Sequence, residues 1–382
     1  MGTGSAAMIT DEVRGCMAEA GEAARVATWS RMHALLTDLD DTELTDLLRT
    51  AHEVGTGIGG RTLHLVVDGT TVFVKAVSLT AEETRPENLR STANHFGLPT
   101  YCQYNVGSPG INAWRELEAL ERTTRWVLGG EASGFPLLYH WRLLPGDPPP
   151  PEPEHTDLDE AVAYWHGAPG VARRLAAIRA STTVLLLFLE YQPHRLDTWL
   201  HDQLNTGRAA AAEAIEMIDD TLLAPVVWMN DQGLFHFDAH LANLLTDGRQ
   251  VLVTDFGLAT TRDFVLDDGE KRFVDQHRLH DPAYTVTKFV NFLVTELMDI
   301  TDIRARDAYI EEHASGRSPG GLLPAAEAIV HRYAPVAEII NAVYWQLFTE
   351  RRDIEFPTSD LKRASDRCAL LTAARGTPGR GR

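Results

Sequence analysis

Lysine and cysteine are both scarce in this chain of 382 residues. Only Lys75, Lys271, Lys288 and Lys362 occur among 35 basic residues, so the sequence uses arginine nearly everywhere. The three cysteines, Cys16, Cys102 and Cys368, are far apart and form no C-x-x-C pair. They exclude a disulfide framework and a structural zinc site, and they indicate a reducing compartment.

Basic charge and long apolar runs are also lacking. The formal net charge is −19, which argues against a nucleic acid as main partner because phosphate binding needs a basic surface. The apolar run over 184–189 has only the length of a strand, and the N-terminus shows no signal-peptide pattern. These features predict a cytoplasmic protein without a membrane partner.

The most informative segment that is present runs from His236 to Ala259, HFDAHLANLLTDGRQVLVTDFGLA. It places His236, Asp238 and Asn243 at the spacing H-x-D-x-x-x-x-N and then adds Asp255 in D-F-G. Asp247-Gly248 is a hairpin turn signal between these polar groups. A rigid hairpin can aim all of them at one point, whereas an ordinary acidic hairpin would reach this full spacing only rarely.

A glycine-rich segment and a lysine precede this motif. Residues 55–60 read GTGIGG, and residues 63–67 and 72–77 predict two strands joined by a turn at Asp68-Gly69. Glycines allow backbone N–H groups to approach phosphate oxygens closely. The second strand carries Lys75 back beneath this loop, where a compact ammonium suits a point contact with phosphate. A strand lysine that only reaches to solvent is the alternative.

A helix is predicted over 113–128, where apolar residues recur at helical spacing. Glu116 and Glu118 both lie on this helix, and the family resemblance given below implies that one of them pairs with Lys75. We favour Glu116 because Leu120 follows it at i+4, as expected for a glutamate on the buried face. Either glutamate could instead be a solvated helix charge.

These motifs resemble the protein-kinase-like superfamily over about residues 54–350. The resemblance implies an α+β, bilobal protein-kinase-like fold with a small β-rich N-lobe, a mainly helical C-lobe and an N-terminal helical extension. It also implies ATP and Mg²⁺ as cofactors, and transfer of the γ-phosphate to a hydroxyl acceptor.

The resemblance assigns roles to eleven residues. It implies that Asp238 is the catalytic base, that Glu116 holds Lys75 against the α- and β-phosphates, and that Asn243 and Asp255 bind magnesium. The remaining nucleotide contacts would come from the glycine-rich loop and the connection between lobes: Gly55, Gly57, Gly59, Gly60, Glu190 and Tyr191.

Two departures separate the chain from eukaryotic-type protein kinases. His240 stands where those enzymes have a lysine, so H-x-D-x-H-x-x-N looks more like aminoglycoside phosphotransferases and atypical kinases. No A-P-E follows the D-F-G, and Asp281-Pro282-Ala283-Tyr284 is a poor substitute. We interpret His236 and His240 as hydrogen-bonding scaffold rather than as metal ligands.

The acceptor is open at this point. The first hypothesis, which we favour from the sequence, is a kinase for Ser/Thr of a protein or peptide. The second is a phosphotransferase for a small metabolite or antibiotic, and the third is a silent pseudokinase that only binds. The third is disfavoured because Lys75, Asp238, Asn243 and Asp255 are all present. An acidic cluster at Asp263, Asp267, Asp268 and Glu270 suggests a cationic acceptor, or else a solvated loop.

The predicted organisation has four parts. Residues 1–53 form the helical extension, with helices over 10–36 and 41–53, and residues 54–191 form the N-lobe. Its later strands are predicted over 135–143 and 183–190. Insertions near 80–110 and 144–181 interrupt that lobe, and the second begins with a proline-rich stretch. Residues 192–350 form the C-lobe, with helices over 209–230, 281–300, 303–315 and 323–350. Residues 351–382 form a tail, disordered from Ala373.

Overall fold

The computed structural model describes residues 4–57, 60–150 and 153–370, and side chains within 4–20 are not among them. The described chain is of the α+β class, with one five-stranded antiparallel sheet and a large helical region. Gly59 and the predicted tail from Ala373 lie outside the described residues. The two helices α1 (Gly4–Asp38) and α2 (Asp41–Leu48) precede the sheet.

The sheet has the order β1-β2-β3-β5-β4. Its strands are β1 (His52–Gly57), β2 (Gly60–Val67), β3 (Thr70–Leu79), β4 (Leu138–Pro145) and β5 (Thr183–Glu190). The β2–β3 hairpin pairs Val67 with Thr70 across the predicted Asp68-Gly69 turn. Strand β5 lies between β3 and β4 and is almost wholly buried, which explains its continuous run of leucines.

Helix α3 (Ala113–Leu128) packs against this sheet, and Asn112 caps its first turn. The two predicted insertions flank it along the chain. The first contains no strand and only short 3₁₀ turns, and the second contains α4 (Pro153–Thr156), α5 (Leu158–Tyr164) and α6 (Pro169–Arg179). Both therefore fold as ordered, partly buried structure around α3.

The helical region follows β5. Its helices are α7 (Leu196–Thr206), α8 (Arg208–Thr221), α9 (Leu223–Asp231), α10 (Asp268–Gln276), α11 (His280–Met298), α12 (Ile303–Ala314), α13 (Pro324–Thr349) and α14 (Thr358–Arg367). Five short strands complete it: β6 (His194–Arg195), β7 (Leu234–Phe235), β8 (Leu244–Thr246), β9 (Val251–Val253) and β10 (Thr260–Thr261). One apolar core is continuous from the sheet into α11 and α13.

Three predicted elements have different bounds. The helix predicted over 41–53 ends at Leu48, and His52–Gly57 forms β1 because its backbone pairs with β2. The helix predicted over 209–230 is divided into α8 and α9, since Pro225 cannot donate to the Thr221 carbonyl four residues earlier. The strand predicted over 135–143 starts at Leu138, beyond Pro136.

Helix α1 is attached to the outer edge of the sheet at β4. Arg25 forms a two-point ion pair with Glu190, with N···O distances of 2.9 and 2.7 Å, and donates to the carbonyls of Ser133 and Phe135. Trp29 Nε1 donates to the Leu138 carbonyl. The helix therefore braces the point where β5 leaves the sheet.

No helix of the described residues is long and apolar enough to cross a membrane.

We expect Arg25→Ala to lower the free energy of unfolding by about 2–3 kcal/mol, because two carbonyls lose this donor and Glu190 keeps only the Leu137 N–H. Arg31→Ala on the same helix is the matched control. Its ion pair with Asp68 is exposed and should contribute less than about 1 kcal/mol. Denaturant unfolding of both variants measures the difference, and equal losses would refute the bracing role of Arg25.

Candidate active site

Lys75 lies at the centre of the site. Its Nζ is 2.7 Å from Glu116 Oε1 on α3 and 2.7 Å from Asp255 Oδ1 in the segment after β9. The sheet, α3 and the D-F-G segment thus meet at one ammonium. Glu118, the other candidate, instead lies near the surface and accepts from Arg90. The Glu116 preference from helical periodicity therefore agrees with the ion pair observed.

The charges of this trio are strongly coupled. Burial by itself lowers the pKa of Lys75, but the carboxylates of Asp255 and Glu116 outweigh it and hold that pKa above its ordinary value. Burial raises the pKa of Glu116, and Lys75 offsets this only in part. For Asp255 the balance is opposite, since Lys75 overcomes burial and lowers the pKa. The ionised form is thus stabilised more strongly at Asp255 than at Glu116.

The loop that carries Asp238 is fixed from below by Asp281 at the start of α11. The backbone N–H groups of His236 and Phe237 donate to its two carboxylate oxygens at 2.6 and 2.8 Å. His236 lies 2.9 Å from the Thr254 carbonyl through Nε2, and its Nδ1 accepts from the Asp238 N–H. A neutral His236 therefore links the loop to the D-F-G segment, as the scaffold interpretation predicts.

Two residues of the site have strained backbone. Phe237 has φ of 64° and Asp255 has φ of 62°, in the left-handed region that non-glycine residues rarely adopt. Phe237 directly precedes Asp238, and Asp255 itself carries one of the candidate carboxylates. Such conformations persist only where the surroundings fix them, and they concentrate at functional sites.

One carboxylate oxygen of Asp238 accepts a hydrogen bond and the other has no hydrogen-bond partner. Asn243 Nδ2 donates to the Asp238 carbonyl and to Oδ2, each at 3.0 Å. Oδ1 is buried without a hydrogen-bond partner, although His240 Nε2 lies 3.3 Å away. Nδ1 of His240 accepts from the Ala242 N–H. Asp238 therefore keeps one oriented oxygen for an external donor.

The surroundings raise the pKa of Asp238 well above its ordinary value. Burial is the main cause and the charge of Asp255 adds to it, while Lys288 and Asn243 act in the opposite direction. The pKa of His240 falls to about 4, chiefly through burial, so its ring is neutral at pH 7. A raised pKa makes the Asp238 carboxylate a stronger base than an ordinary one, and its neighbour His240 is uncharged.

Two cavities meet at these residues. The hinge cavity, of about 350 Å³, lies beside the connection at 190–193 and is lined by Phe73, Lys75 and Leu189 among others. The central cavity, of about 300 Å³, lies above Asp238 and His240. Glu116, Asn243 and Asp255 line both, so the polar groups stand at the junction.

The connection at 190–193 offers backbone groups to the hinge cavity. Tyr191 and Gln192 lie outside the strands, and within the described chain no backbone hydrogen bond involves their N–H or C=O groups. The Glu190 side chain accepts from Arg25 and from the Leu137 N–H. The Glu190 backbone N–H donates to the Leu137 carbonyl at 2.8 Å, so its side chain and its N–H group both serve the fold.

The described glycines of the glycine-rich segment belong to two paired strands, β1 and β2, rather than to a loop that opens one strand. Gly57 pairs with Gly60, Gly55 lies at an irregularity in β1, and Gly60 borders the central cavity. A Cβ at Gly60 would lie 2.1 Å from the Ala76 carbonyl, and its φ is 120°. Glycine is required there, whereas the space around Gly55 would admit a side chain.

Both insertions cover the central cavity. Residues 105–110, which we call the roof segment, line it through Asn105, Ser108 and Gly110. Arg174 of α6 donates to the Gly110 carbonyl at 2.6 Å, and His155 lies 2.9 Å from the Gly107 carbonyl. The roof is therefore tied down by the second insertion.

The acidic cluster after the D-F-G segment does not line either cavity. Asp263 pairs with Arg122, Asp268 with Lys271, and Glu270 forms a buried pair with Arg115 at 2.7 Å. Asp267 caps α10. These acids serve the local structure, so they give no support to a cationic acceptor.

Oxygen ligands for a hard cation are present at the junction. The Asn243 amide donates to Asp238 through Nδ2, and both Asn243 and Asp255, whose pKa is lowered, line the two cavities. No group of three or more His, Cys, Asp or Glu of the described residues could hold a metal by itself. Mg²⁺ is commonly bound by one or two protein oxygens together with phosphate oxygens, and the residues present fit that pattern.

Sequence reasoning missed Asp281, Tyr284, Lys288 and the roof segment. The sequence offers Asp281 only as part of a poor A-P-E substitute, yet its carboxylate organises the loop that carries Asp238. A signal for Lys288 existed in the scarcity of lysine, as it did for Lys75. The roof segment carries no motif, and its position depends on contacts between residues far apart in the sequence.

Comparison with known proteins adds no assignment, since no family model and no curated protein matches the chain.

Asp238→Asn should make the protein more stable at pH 7.5. A carboxyl group whose pKa rises on folding costs stability above its unfolded pKa, and the cost disappears as the pH falls below that value. We expect a gain of about 0.5–2 kcal/mol that shrinks toward pH 5. Denaturant unfolding at both pH values, with exposed Asp202→Asn as control, measures it. A loss of stability at pH 7.5 would contradict the burial argument.

Proposed function

We propose that this chain is an ATP-dependent phosphotransferase that moves the γ-phosphate of MgATP to a hydroxyl acceptor. The observation that carries the proposal is the convergence of four separated residues, Lys75, Asp238, Asn243 and Asp255, on the junction of two cavities. In this proposal the sheet and the helical region are the two lobes of a protein-kinase-like fold.

The hinge cavity is the proposed nucleotide site. Its walls include the apolar side chains of Val54, Leu120 and Leu245, which suit a flat base. The free backbone groups of Tyr191 and Gln192 would bind the adenine edge. The Gly60 turn covers the side where the phosphates would lie, and Lys75 supplies a fixed positive charge for them.

Asn243 and Asp255 are the proposed magnesium ligands. When bound, Mg²⁺ would neutralise negative charge on the phosphates during transfer. The ion pair between Lys75 and Asp255 keeps both groups oriented before any ligand arrives. Glu116 would then hold Lys75 as Asp255 turns toward the metal.

Asp238 is the proposed base. Its open Oδ1 would accept the proton of the acceptor hydroxyl as the new O–P bond forms and the bond from the γ-phosphorus to the β,γ-bridging oxygen breaks, which leaves ADP. Asn243 fixes the carboxylate through Oδ2, and the neutral His240 lies beside Oδ1. The complete residue set weighs against a silent pseudokinase.

Of the two acceptor classes, a small molecule is favoured over Ser/Thr of a polypeptide. The roof segment lies above Asp238, and Arg174 and His155 anchor it to the second insertion. An extended peptide needs an open groove along the catalytic loop, whereas a chamber with a fixed roof suits a compact acceptor.

Asp238→Asn should lower turnover by roughly 100-fold or more and keep ATP binding, because the amide cannot accept the hydroxyl proton. The assay is transfer from γ-labelled ATP into an extract of the source cells, divided into polypeptide and small-molecule fractions. Label in small molecules that disappears with the variant supports the proposal. Asp238-dependent label in a polypeptide would establish a protein kinase, and unchanged turnover would remove Asp238 from the base role.

Asp255→Asn should weaken nucleotide binding in the presence of Mg²⁺ by about 10-fold or more, since a charged metal ligand is lost. Binding measured with EDTA should change much less. Exposed Asp202→Asn is the matched control and should leave both affinities unchanged. Equal Mg²⁺-dependent affinities for the variant and the wild type would place the metal elsewhere.

A further inference from the structure

A third cavity adjoins the catalytic loop on the side of the helical region. This helix cavity, of about 460 Å³, is bordered by α7, α11, α12 and the end of α13. Asn105 of the roof segment and His240 beside Asp238 line both it and the central cavity. A molecule in the helix cavity would therefore reach toward Asp238 beneath the roof.

Most charged groups of the helix cavity already have partners. Asp197 pairs with Arg195, Glu296 lies 2.7 Å from His201, and Arg306 lies 3.1 Å from Asp307. Lys288 differs from them, because no carboxylate of the described chain lies within ion-pair distance of its Nζ. Arg306 also retains a buried Nε without a hydrogen-bond partner.

Lys288 is held instead by aromatic rings. Its Nζ lies 4.8 Å from the centre of the Tyr284 ring and 5.1 Å from that of Tyr344. Ring faces attract a cation, but they do not replace the hydrogen bonds that an ammonium group makes in water. The cavity therefore presents one incompletely compensated positive charge.

The electrostatics of the cavity agree with this geometry. Burial and, to a smaller extent, the charge of Arg306 lower the pKa of Lys288 to about 8, although the charges of Asp238 and Asp307 oppose the decrease. Lys288 is thus mainly protonated at pH 7 and loses its proton a little above pH 8. A bound anion would remove much of the cost of burying this charge.

We propose that the helix cavity binds the acceptor as a small hydroxylated molecule with an anionic group, a carboxylate or a phosphate, and that Lys288 recognises this group. The inference rests on the proposed phosphotransferase function. Tyr284 and Phe348 give the cavity aromatic walls for the carbon skeleton, and His240 marks the side from which the hydroxyl would face Asp238.

The test uses γ-labelled ATP and the small-molecule pool of the source cells. Before the reaction, an anion exchanger separates the pool at pH 7 into retained and unretained fractions. Wild type, Lys288→Met, Lys288→Arg and Asp238→Asn are compared, and exposed Lys362→Met is the matched control. Phosphatase treatment of the retained fraction before the exchange step is repeated distinguishes phosphate-bearing from carboxylate-bearing acceptors.

We expect Asp238-dependent label in the retained fraction alone. Lys288→Met should raise the acceptor KM by about 10-fold or more with a smaller change in kcat, and Lys288→Arg should restore a substantial part. In the wild type the acceptor KM should rise as the pH passes about 8. ATP affinity, measured on every variant, reports that the fold is intact.

Two results would overturn the assignment and leave the phosphotransferase function in place. These are Asp238-dependent label in the unretained fraction or in polypeptides, and an acceptor KM that Lys288→Met does not change. Absence of Asp238-dependent label from every fraction, with ATP binding intact, would instead overturn the proposed function and this inference with it.

Discussion

The ammonium of Lys75 is the constraint on which the rest of the site depends. It is buried between two carboxylates, one from α3 and one from the D-F-G segment. Its ion pairs therefore join three parts of the chain that are far apart in the sequence. Removing a charge from water is costly unless partners surround it. The sheet, α3 and the helical region can therefore assemble only in the arrangement that brings Glu116 and Asp255 together at Lys75.

Another buried carboxylate, that of Asp281, fixes the loop that carries Asp238. It takes two backbone N–H groups that would otherwise be buried without acceptors, and it allows Phe237 to keep a strained conformation. The ring of Phe237 stacks on the ring of His280, the first residue of α11. The position of Asp238 is thus set by α11 and the core beneath it, rather than by the short loop itself.

Secondary structure and residue orientation could be predicted from the sequence where the residue spacing within one helix, strand or turn determines them. The β2–β3 hairpin, the bounds of β5, the side of α3 that carries Glu116 and the turn at Asp247-Gly248 all follow from local patterns. Strand β1 could not be predicted, since His52 and Glu53 have no strand signal apart from their pairing with β2. The division between α8 and α9 has a local signal in Pro225, which has no N–H group to donate.

The site was less predictable than the fold wherever a contact joins distant segments. Local spacing predicts four residues of the site, Lys75, Asp238, Asn243 and Asp255. It does not predict the roof segment that covers them. The roof depends on Arg174, which reaches the Gly110 carbonyl over 64 residues of sequence. An acceptor must be recognised by groups that surround Asp238, and those groups come from two insertions and from α11. Under the proposed function, two chains with the same spacing could therefore act on different acceptors, and in this one Lys288 would face the acceptor.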